Sequence, residues 1–394
     1  MKKAYLVLED GQVFEGRSFG AEISGMGELV FSTGMCGYIE TLTDPSYYGQ
    51  IVLQTFPLIG NYGIIEDDFE GKCRVRGYVV REYCDEPSNF RTQYGIDQFL
   101  KENGIPGICG VDTRQITRIL RENGVMNAYI TTELPESLEE LRKYAVVQAV
   151  ENVTVSEPVL YEAWGEQKHK VVLVDYGAKR NIIRELCKRG CFVTVVPASC
   201  SAEEILALSP EGIMLSNGPG DPAENVFCIE QLKKLLGKVP MFGICLGHQL
   251  MALANGGKTY KLKYGHRGVN QPVKEVGGQR TYITSQNHGY AVDAESIRCG
   301  RIRFVNANDR TCEGIDYPEM NAFSVQFHPE ACSGPKDTSF LFDRFISMMG
   351  ENGNAGLEFP TTADCSLFSR RSKTGIPWRR YTTSPKLTDG FLQS

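Results

Sequence analysis

A cysteine flanked by two glycines follows a short apolar run in the second half of this 394-residue chain. The segment 243–247 reads Gly-Ile-Cys-Leu-Gly, and a helix-forming run follows it. This pattern is the cysteine form of the nucleophile elbow, a sharp strand-to-helix turn that carries a reactive side chain. Glycine is needed on both sides because a Cβ atom would crowd the turn. The first N–H groups of the helix are partly positive, so we expect them to favour the reactive thiolate of Cys245.

The segments that lead to Cys245 alternate between strand and helix patterns. Strands are predicted at 171–175, 192–196, 212–215 and 240–244, and helices at 181–189, 202–208 and 228–236. Alternation of this kind predicts an α/β fold with a mostly parallel sheet flanked by helices. In such sheets the reactive groups belong at the carboxyl ends of the strands.

An N-terminal domain of mixed α/β type is predicted for residues 1–147. Its strand-forming runs lie at 13–14, 29–31, 51–53 and 76–83, and capping patterns at Asp112 and Ser137 predict two helix starts. The polar stretch 148–169 indicates a linker, and 170–350 form the second domain. Residues 351–394 lack periodicity and are predicted to be a disordered tail, although a frame-shifted or run-on segment would look the same.

Composition excludes several classes of protein. A formal net charge of −6 argues against general nucleic-acid binding, which needs a basic surface. The 13 cysteines are scattered and include no Cys-x-x-Cys pair, which favours a reduced, cytoplasmic protein. Cys187 and Cys191 have a glycine between them and no second pair, so no metal site is predicted. No apolar run is long enough to cross a membrane.

A second chemical motif ends the strand-like segment 324–330, which closes with His-Pro-Glu. Residues two apart in an extended segment point the same way, so Glu330 can hold the ring of His328. His328 would then accept the proton of Cys245, which completes a triad of nucleophile, base and orienting residue. His248, one helical turn after Cys245, is the alternative base, although no carboxylate adjoins it in sequence.

The loop 216–222 follows another predicted strand and reads Ser-Asn-Gly-Pro-Gly-Asp-Pro. A loop of this composition can aim a backbone N–H at a developing oxyanion, and the N–H of Leu246 would be the second donor. The same glycines would also suit a simple turn. With the triad, the loop predicts acyl transfer chemistry.

These motifs, in this order, resemble the class I, or triad, glutamine amidotransferases. The resemblance rests on the segments 217–220, 243–249 and 328–330. The chain is also similar to the family of small, glutamine-hydrolysing subunits of carbamoyl phosphate synthetase, through the segments 27–31, 43–50, 110–114, 175–181 and 285–290. The similarity covers about residues 1–347, and ordinary amidotransferases lack the first domain.

The resemblance implies that Cys245 attacks the side-chain amide of glutamine, releases ammonia and leaves a glutamyl thioester. Water activated through His328 would hydrolyse the thioester. Gly218 and Leu246 are implied to supply the oxyanion N–H groups. The residues implied to bind glutamine are Ser46, Gly218, Gly220, Leu246, Gln249, Asn287, Gly289 and Tyr290; phenylalanine is usual at the last position. Lys179 and Arg180 indicate only a charged face and are given no catalytic role.

The resemblance also implies a large partner subunit that receives ammonia through a tunnel. That subunit would bind ATP and Mg and make carbamoyl phosphate for arginine and pyrimidine synthesis. No cofactor is expected on this chain, which contains no Gly-x-x-x-x-Gly-Lys phosphate loop. Higher-order assembly of heterodimers is left open. The alternatives are a free-standing γ-glutamyl hydrolase or cysteine peptidase, a subunit of another synthetase, and a non-catalytic regulatory protein that kept the fold.

Overall fold

The structure is a computed structural model that describes residues 2–331, 333–352 and 380–381. The predicted tail at 351–394 therefore lies largely outside the described residues. In the described part of the chain, none of the helices has the length and apolar character that crossing a membrane requires.

The first domain is built on a closed barrel of seven strands. The strands of this half are β1 (Lys3–Leu8), β2 (Val13–Gly20), β3 (Gly25–Ser32), β4 (Gln50–Gln54), β5 (Leu58–Ile59), β6 (Gly77–Val79), β7 (Glu82–Tyr83), β8 (Pro106–Cys109) and β9 (Met126–Thr131). The helices are α1 (Tyr38–Thr43), α2 (Ile96–Glu102), α3 (Thr113–Asn123) and α4 (Glu139–Lys143). The barrel order is β1-β2-β8-β6-β4-β3-β9, while β5 and β7 form a separate pair. Closure leaves the barrel without an unpaired strand edge.

The second domain is built on an 11-stranded sheet. Its strands are β10 (Val159–Tyr161), β11 (His169–Asp175), β12 (Cys191–Pro197), β13 (Gly212–Leu215), β14 (Met241–Ile244), β15 (Thr259–Glu275), β16 (Thr281–Val292), β17 (Arg301–Asn306), β18 (Cys312–Tyr317), β19 (Ala322–Val325) and β20 (Arg380–Tyr381). Its helices are α5 (Ala149–Val153), α6 (Arg180–Lys188), α7 (Ala202–Ala207), α8 (Val226–Leu235), α9 (Leu246–Ala254) and α10 (Phe340–Asn352). The strand order is β16-β15-β17-β18-β19-β14-β13-β11-β12-β10-β20.

The centre of this sheet is parallel, because β12, β11, β13, β14 and β19 pair in the same direction. Apolar clusters cover both faces, one around Val172 and Leu250 and the other around Leu173 and Phe342. The predicted alternation and the α/β fold are confirmed. Continuous apolar strands are the pattern expected for strands buried on both faces.

Two local predictions differ from the structure. The helix predicted at Ser137 begins instead at Glu139, and its N-cap is Leu138, which makes no side-chain capping bond. The Ser137 hydroxyl accepts a bond from the N–H of Glu139 at 3.3 Å, two residues on, which is a turn interaction. The predicted linker is not free of structure, because it contains α5 and β10, and β10 pairs with β12.

The two domains meet beside the carboxyl end of the parallel strands. Lys261 of β15 forms an ion pair with Glu28 of β3, and the N–H of Val125 donates to the Lys263 carbonyl at 2.9 Å. At α6, the N–H of Arg180 donates to the carbonyl of Glu70 at 2.8 Å. The first domain therefore covers the sheet edge at which reactive groups are expected.

Candidate active site

Cys245 lies at a strained backbone turn between β14 and α9. Its φ of 53° and ψ of −102° fall where side-chain-bearing residues are rare, a conformation that costs of order 1–3 kcal/mol. A Cβ atom on Gly243 would lie 2.7 Å from the Met251 sulfur, and one on Gly247 would lie 2.6 Å from the Leu215 carbonyl oxygen. The nucleophile-elbow geometry predicted from 243–247 is confirmed.

Burial and the helix N-terminus act in opposite directions on the thiol of Cys245. The residue is 2% exposed, and burial raises the pKa of its thiol to about 12, against the opposing influence of Lys179. The N–H of Leu246 also favours the thiolate but does not overcome burial. The helix N-terminus therefore acts on the thiol in the expected direction, and burial is the larger, opposing influence in the free protein. Ionisation needs a proton acceptor that acts during the reaction.

His328 and Glu330 form a buried pair just past the end of β19. His328 Nδ1 donates to Glu330 Oε1 at 2.7 Å, which leaves the lone pair on Nε2, an atom with no hydrogen-bond partner among the described residues. Burial opposes ionisation of Glu330, but His328 and Lys179 outweigh it and hold the pKa of this carboxyl below its usual value. The ring is thus oriented with a free basic nitrogen.

Strand pairing brings this base to the edge that carries the nucleophile. Strands β14 and β19 are parallel neighbours, and the N–H of Cys245 donates to the Val325 carbonyl at 2.9 Å. The thiol donates to the Asn287 carbonyl at 3.7 Å, and Asn287 and His328 line the same small cavity. Cys245 and His328 are therefore both beside Asn287.

His248, the alternative base, is in an unsuitable environment. It is fully buried, and its Nδ1 lies 2.8 Å from the Ser324 hydroxyl. Burial lowers the pKa of His248 to about 3, so the ring does not accept a proton near neutral pH. The structure favours His328.

The loop 216–222 packs directly against the start of α9. A Cβ atom on Gly218 would lie 2.3 Å from the Tyr176 carbonyl oxygen and 2.7 Å from Leu246 Cδ2. The N–H of Gly247 donates to the Ser216 carbonyl at 3.1 Å. This close approach, which only glycine permits, brings the two predicted oxyanion donors, Gly218 and Leu246, next to each other.

A cavity of about 480 Å³ opens beside Cys245 and extends between the two domains. Its volume is in the range of roughly 300–1,000 Å³ that small-molecule sites occupy. Seven of the predicted glutamine-binding residues line it: Ser46, Gly218, Gly220, Gln249, Asn287, Gly289 and Tyr290. The Leu246 side chain is buried and outside the lining, so this residue can contribute only its backbone. The amide of Gln249 donates to the Tyr290 carbonyl at 2.7 Å, which fixes its position.

Asp44 is a site residue that was not predicted from the sequence. It is 3% exposed and accepts from the N–H of Ser46 at 2.9 Å and from Asn287 Nδ2 at 3.1 Å. Asn217 Nδ2 donates to Ser46 Oγ at 2.9 Å. One carboxylate of the first domain therefore supports pocket residues on both domains. Its only signal in the sequence is its place in the segment 43–50, where it also caps the turn that contains Ser46.

Lys179 was predicted to lie on a charged face, and this prediction is wrong. Its side chain is buried, with Nζ 3.5 Å from Asp44 Oδ2 and 3.6 Å from Glu330 Oε1. Burial lowers the pKa of the lysine, but Asp44, Glu330 and Glu70 more than compensate, so Lys179 stays charged. This cation joins the first domain to the carboxylate that orients His328.

Glu70 provides a pH-dependent contribution to stability at the same domain contact. It is 2% exposed, and burial raises its pKa to about 7, while its Oε2 accepts from the N–H of Asn181 at 3.0 Å. Between pH 4.5 and 7 the folded protein holds this proton and the unfolded chain does not, so stability falls as pH rises through that window. We expect Glu70→Gln to raise the unfolding midpoint at pH 8 relative to wild type, with the difference fading by pH 4.5.

Urea unfolding at a series of pH values measures this difference. The exposed carboxylate of Glu102 gives a control, because Glu102→Gln removes the same charge at the surface. The quantity to compare is the stability of Glu70→Gln minus that of wild type. If this difference were smaller at pH 8 than at pH 4.5, the folded-state pKa of Glu70 would not be raised.

Comparison with known proteins assigns both domains. Residues 6–130 match the family model "Carbamoyl-phosphate synthase small chain, CPSase domain", and residues 172–348 match "Glutamine amidotransferase class-I". The protein named carbamoyl phosphate synthase small chain from Listeria monocytogenes serotype 4b (strain F2365) is 51% identical over 354 residues, which cover 89% of this chain and 97% of that protein. The protein of that name from Bacillus anthracis is 51% identical over 353 residues, with 88% and 96% covered.

A third relative has the same name and a similar identity. The carbamoyl phosphate synthase small chain of Staphylococcus saprophyticus subsp. saprophyticus is 50% identical over 358 residues, covering 89% of this chain and 97% of that protein. Matches of this identity run through both domains and across nearly the whole length of each relative. With its barrel domain followed by an elbow cysteine on a parallel sheet, the chain belongs to the carbamoyl phosphate synthase small chain family, in which a class-I glutamine amidotransferase domain follows the CPSase domain.

Proposed function

We propose that this chain is the glutaminase subunit of carbamoyl phosphate synthase and hydrolyses L-glutamine through Cys245, His328 and Glu330. One observation carries the proposal: a buried cysteine at a strained elbow shares the edge of a parallel sheet with an oriented, unpartnered imidazole nitrogen. The interdomain cavity gives the substrate a place beside that cysteine. Family membership supplies the reaction class.

The chemistry follows from the geometry of these groups. The Cys245 sulfur attacks the carboxamide carbon of glutamine while His328 Nε2 takes the thiol proton. Glu330 stabilises the resulting imidazolium through the Nδ1 hydrogen bond. The tetrahedral oxyanion would accept hydrogen bonds from the backbone N–H groups of Gly218 and Leu246, and one such donor is worth roughly 10²–10³ in rate.

Collapse of this intermediate releases ammonia. His328 returns its proton to the leaving nitrogen, the C–N bond breaks, and a glutamyl thioester remains on Cys245. A water molecule then attacks the thioester as His328 accepts its proton. The C–S bond breaks, glutamate leaves, and the proton on His328 restores the thiol.

Burial of the thiol affects the point in the reaction at which Cys245 becomes reactive. Burial raises the pKa of the Cys245 thiol, which disfavours the thiolate while the cavity is empty of substrate. Reactivity would arise once glutamine fills the cavity and brings its carbonyl to the oxyanion donors. The pocket residues support this step: Ser46 and Asn287 are both held by Asp44, and Gln249 by the Tyr290 carbonyl.

The proposal includes a division of labour between two chains. The small-chain family implies a large-subunit partner, to which ammonia would pass. We place ATP and Mg on that partner, with no cofactor on this chain, and we expect carbamoyl phosphate for arginine and pyrimidine synthesis in the cytoplasm. We also propose that the heterodimers assemble into larger complexes. The molecular mass of the complex in solution would test this.

Glutamine hydrolysis by this chain, alone and with its partner, tests the proposal. We expect slow release of glutamate and ammonia by the isolated chain, and faster release when a large ATP-dependent subunit and its substrates ATP and bicarbonate are added. A free-standing γ-glutamyl hydrolase would instead turn over at full rate without the partner. Full-rate hydrolysis by the isolated chain, with no change on addition of the large subunit, would contradict the proposal.

Glu330→Ala is expected to cause a partial loss of glutaminase activity. The change removes a charged hydrogen bond worth about 1.5–3 kcal/mol, so kcat should fall roughly 10- to 100-fold. Glu330→Gln retains an acceptor for His328 and should lose less. Steady-state kinetics of both variants provide the measurement, and a loss for Glu330→Ala equal to that for Cys245→Ser would indicate a direct chemical role instead.

A further inference from the structure

An arginine lies in the wall of the cavity that contains Cys245, and the mechanism above gives it no role. Arg267 belongs to β15 and is 5% exposed. It pairs directly with Asn287 of β16, and residues opposite each other in antiparallel strands carry their side chains on the same face. Both residues line the interdomain cavity. Arg267 is therefore a buried cation next to a predicted glutamine-binding residue.

Most of the hydrogen-bonding capacity of this guanidinium is unused. An arginine side chain donates through all three of its nitrogens and accepts through none. Nη1 donates to the Tyr264 carbonyl at 2.7 Å. Nε is buried without a partner among the described residues, and Nη2 makes no hydrogen bond to any of them. Nη2 lies against Gly289, where an added Cβ atom would be 3.3 Å away. The free nitrogen is thus beside a glycine that also lines the cavity.

No carboxylate of the described residues forms an ion pair with Arg267. Glu28 acts on it electrostatically, but Glu28 Oε1 is paired with Lys261 and Oε2 accepts from Gln50 at 2.9 Å. Burial lowers the pKa of Arg267, yet arginine keeps its proton in proteins, so the cavity wall carries a positive charge. Buried charges are normally paired, which indicates that a ligand supplies the anion.

We propose that Arg267 binds the α-carboxylate of glutamine through Nη2 and so selects substrates with a free carboxylate. This inference rests on the glutaminase function proposed above. The α-carboxylate is the one anionic group of glutamine, and the reaction at the side-chain amide leaves it unchanged. The ammonium group of the substrate would be repelled by the guanidinium. Hydrogen bonds between arginine and a carboxylate are charge-assisted and stronger than neutral ones.

The positions of Cys245 and Arg267 allow one substrate molecule to reach both. They line the same cavity, and Cys245 is among the groups that act electrostatically on the guanidinium. Asn287 connects them, because its carbonyl accepts from the thiol at 3.7 Å and its strand partner is Arg267. Cα atoms of such partners are about 4.5–5.5 Å apart. A glutamine with its amide at the sulfur would extend its α-carbon end towards Arg267.

The competing interpretation gives Arg267 a purely structural role. In that case the side chain only supports the backbone of β15 through the Tyr264 carbonyl. Its removal would lower stability and turnover, and the effect would not depend on the charge of the substrate. A binding role predicts instead a rise in KM that is specific to substrates with the carboxylate, while kcat is retained.

Kinetics with L-glutamine and L-glutaminamide, in which a neutral amide replaces the α-carboxylate, separate the two interpretations. For the wild-type chain with the large subunit added, we expect KM for glutamine to be roughly 10- to 100-fold below that for glutaminamide. Arg267→Met should raise KM for glutamine by a similar factor and leave that for glutaminamide nearly unchanged. Arg267→Lys keeps the charge and should lie between them. Arg118 is exposed on α3, so Arg118→Met provides the matched control and should behave like wild type.

Equilibrium dialysis with L-glutamine measures binding without turnover. On the Cys245→Ser background, Arg267→Met should weaken glutamine binding by the factor seen in KM, and Arg118→Met should not. Two results would overturn the assignment of Arg267: no preference of the wild type for glutamine over glutaminamide, or the same preference in wild type and both Arg267 variants. Absence of glutamine hydrolysis by the wild type would instead contradict the proposed function, and dialysis would still show whether Arg267 binds glutamine.

Discussion

Replacing Cys245 with serine is expected to abolish glutamine-dependent carbamoyl phosphate synthesis by the complex while leaving synthesis from added ammonia intact. Loss of a catalytic nucleophile costs roughly 10⁴- to 10⁶-fold in kcat, since a serine hydroxyl with the same base is a far poorer nucleophile here. Serine is close to cysteine in size, so the turn and the packing around it should be retained. The two rates, measured with glutamine and with ammonium salts, give the test.

A matched cysteine variant controls for general effects of thiol removal. Cys299 is exposed, and Cys299→Ser should leave both rates unchanged. If Cys245→Ser also removed the ammonia-dependent reaction, the proposed division of labour between the subunits would be wrong. If it retained glutamine-dependent synthesis, the assignment of the nucleophile would be wrong.

Lys179→Met is expected to have the largest effect on both stability and activity among the variants outside the triad. The change leaves the buried carboxylates of Asp44 and Glu330 without the cation between them. Removing one partner of a buried ion pair costs about 3–5 kcal/mol, because the remaining charges stay desolvated. Glutamine turnover should fall as well, since Glu330 orients His328 and Asp44 holds Ser46 and Asn287.

The neighbouring residue provides the control for this change. Arg180 is exposed, and Arg180→Met should alter the free energy of unfolding by no more than about 0.5 kcal/mol. Urea unfolding and steady-state kinetics with glutamine measure the two effects. If Lys179→Met behaved like Arg180→Met in both, the buried cation would have no part in supporting the site.

The parts of the site that could be predicted from the sequence are the local ones. The elbow at Cys245 has a signature within five residues. The His-Pro-Glu segment likewise predicts the contact between Glu330 and His328, although residues 329–330 form a turn beyond β19 and not the extended segment that was expected. The alternation before Cys245 likewise predicts a parallel sheet, because buried strands and amphipathic helices leave separate patterns. Each of these signals depends on neighbours in the chain.

Features that depend on distant neighbours were not predictable. Lys179 lies 135 residues from Asp44 and 151 from Glu330, so nothing near it indicates burial. The thiol pKa of Cys245 is raised mainly by burial and also depends on Lys179, Asp44 and Glu330, which are distant in the chain, whereas the helix N-terminus is the influence visible locally. The barrel was also not predicted, because its strand order β1-β2-β8-β6-β4-β3-β9 does not follow the chain.

Because Asp44 belongs to the barrel domain, it limits how this protein can be separated into fragments. Lys179 and Asn287 belong to the sheet domain, and both rely on that aspartate. A fragment restricted to residues 170–350 would keep its nucleophile and base but lack Ser46 and the anion that supports its pocket. Grafting the C-terminal half onto a foreign synthetase would therefore transfer an incomplete catalyst, and the indivisible unit for engineering is the pair of domains.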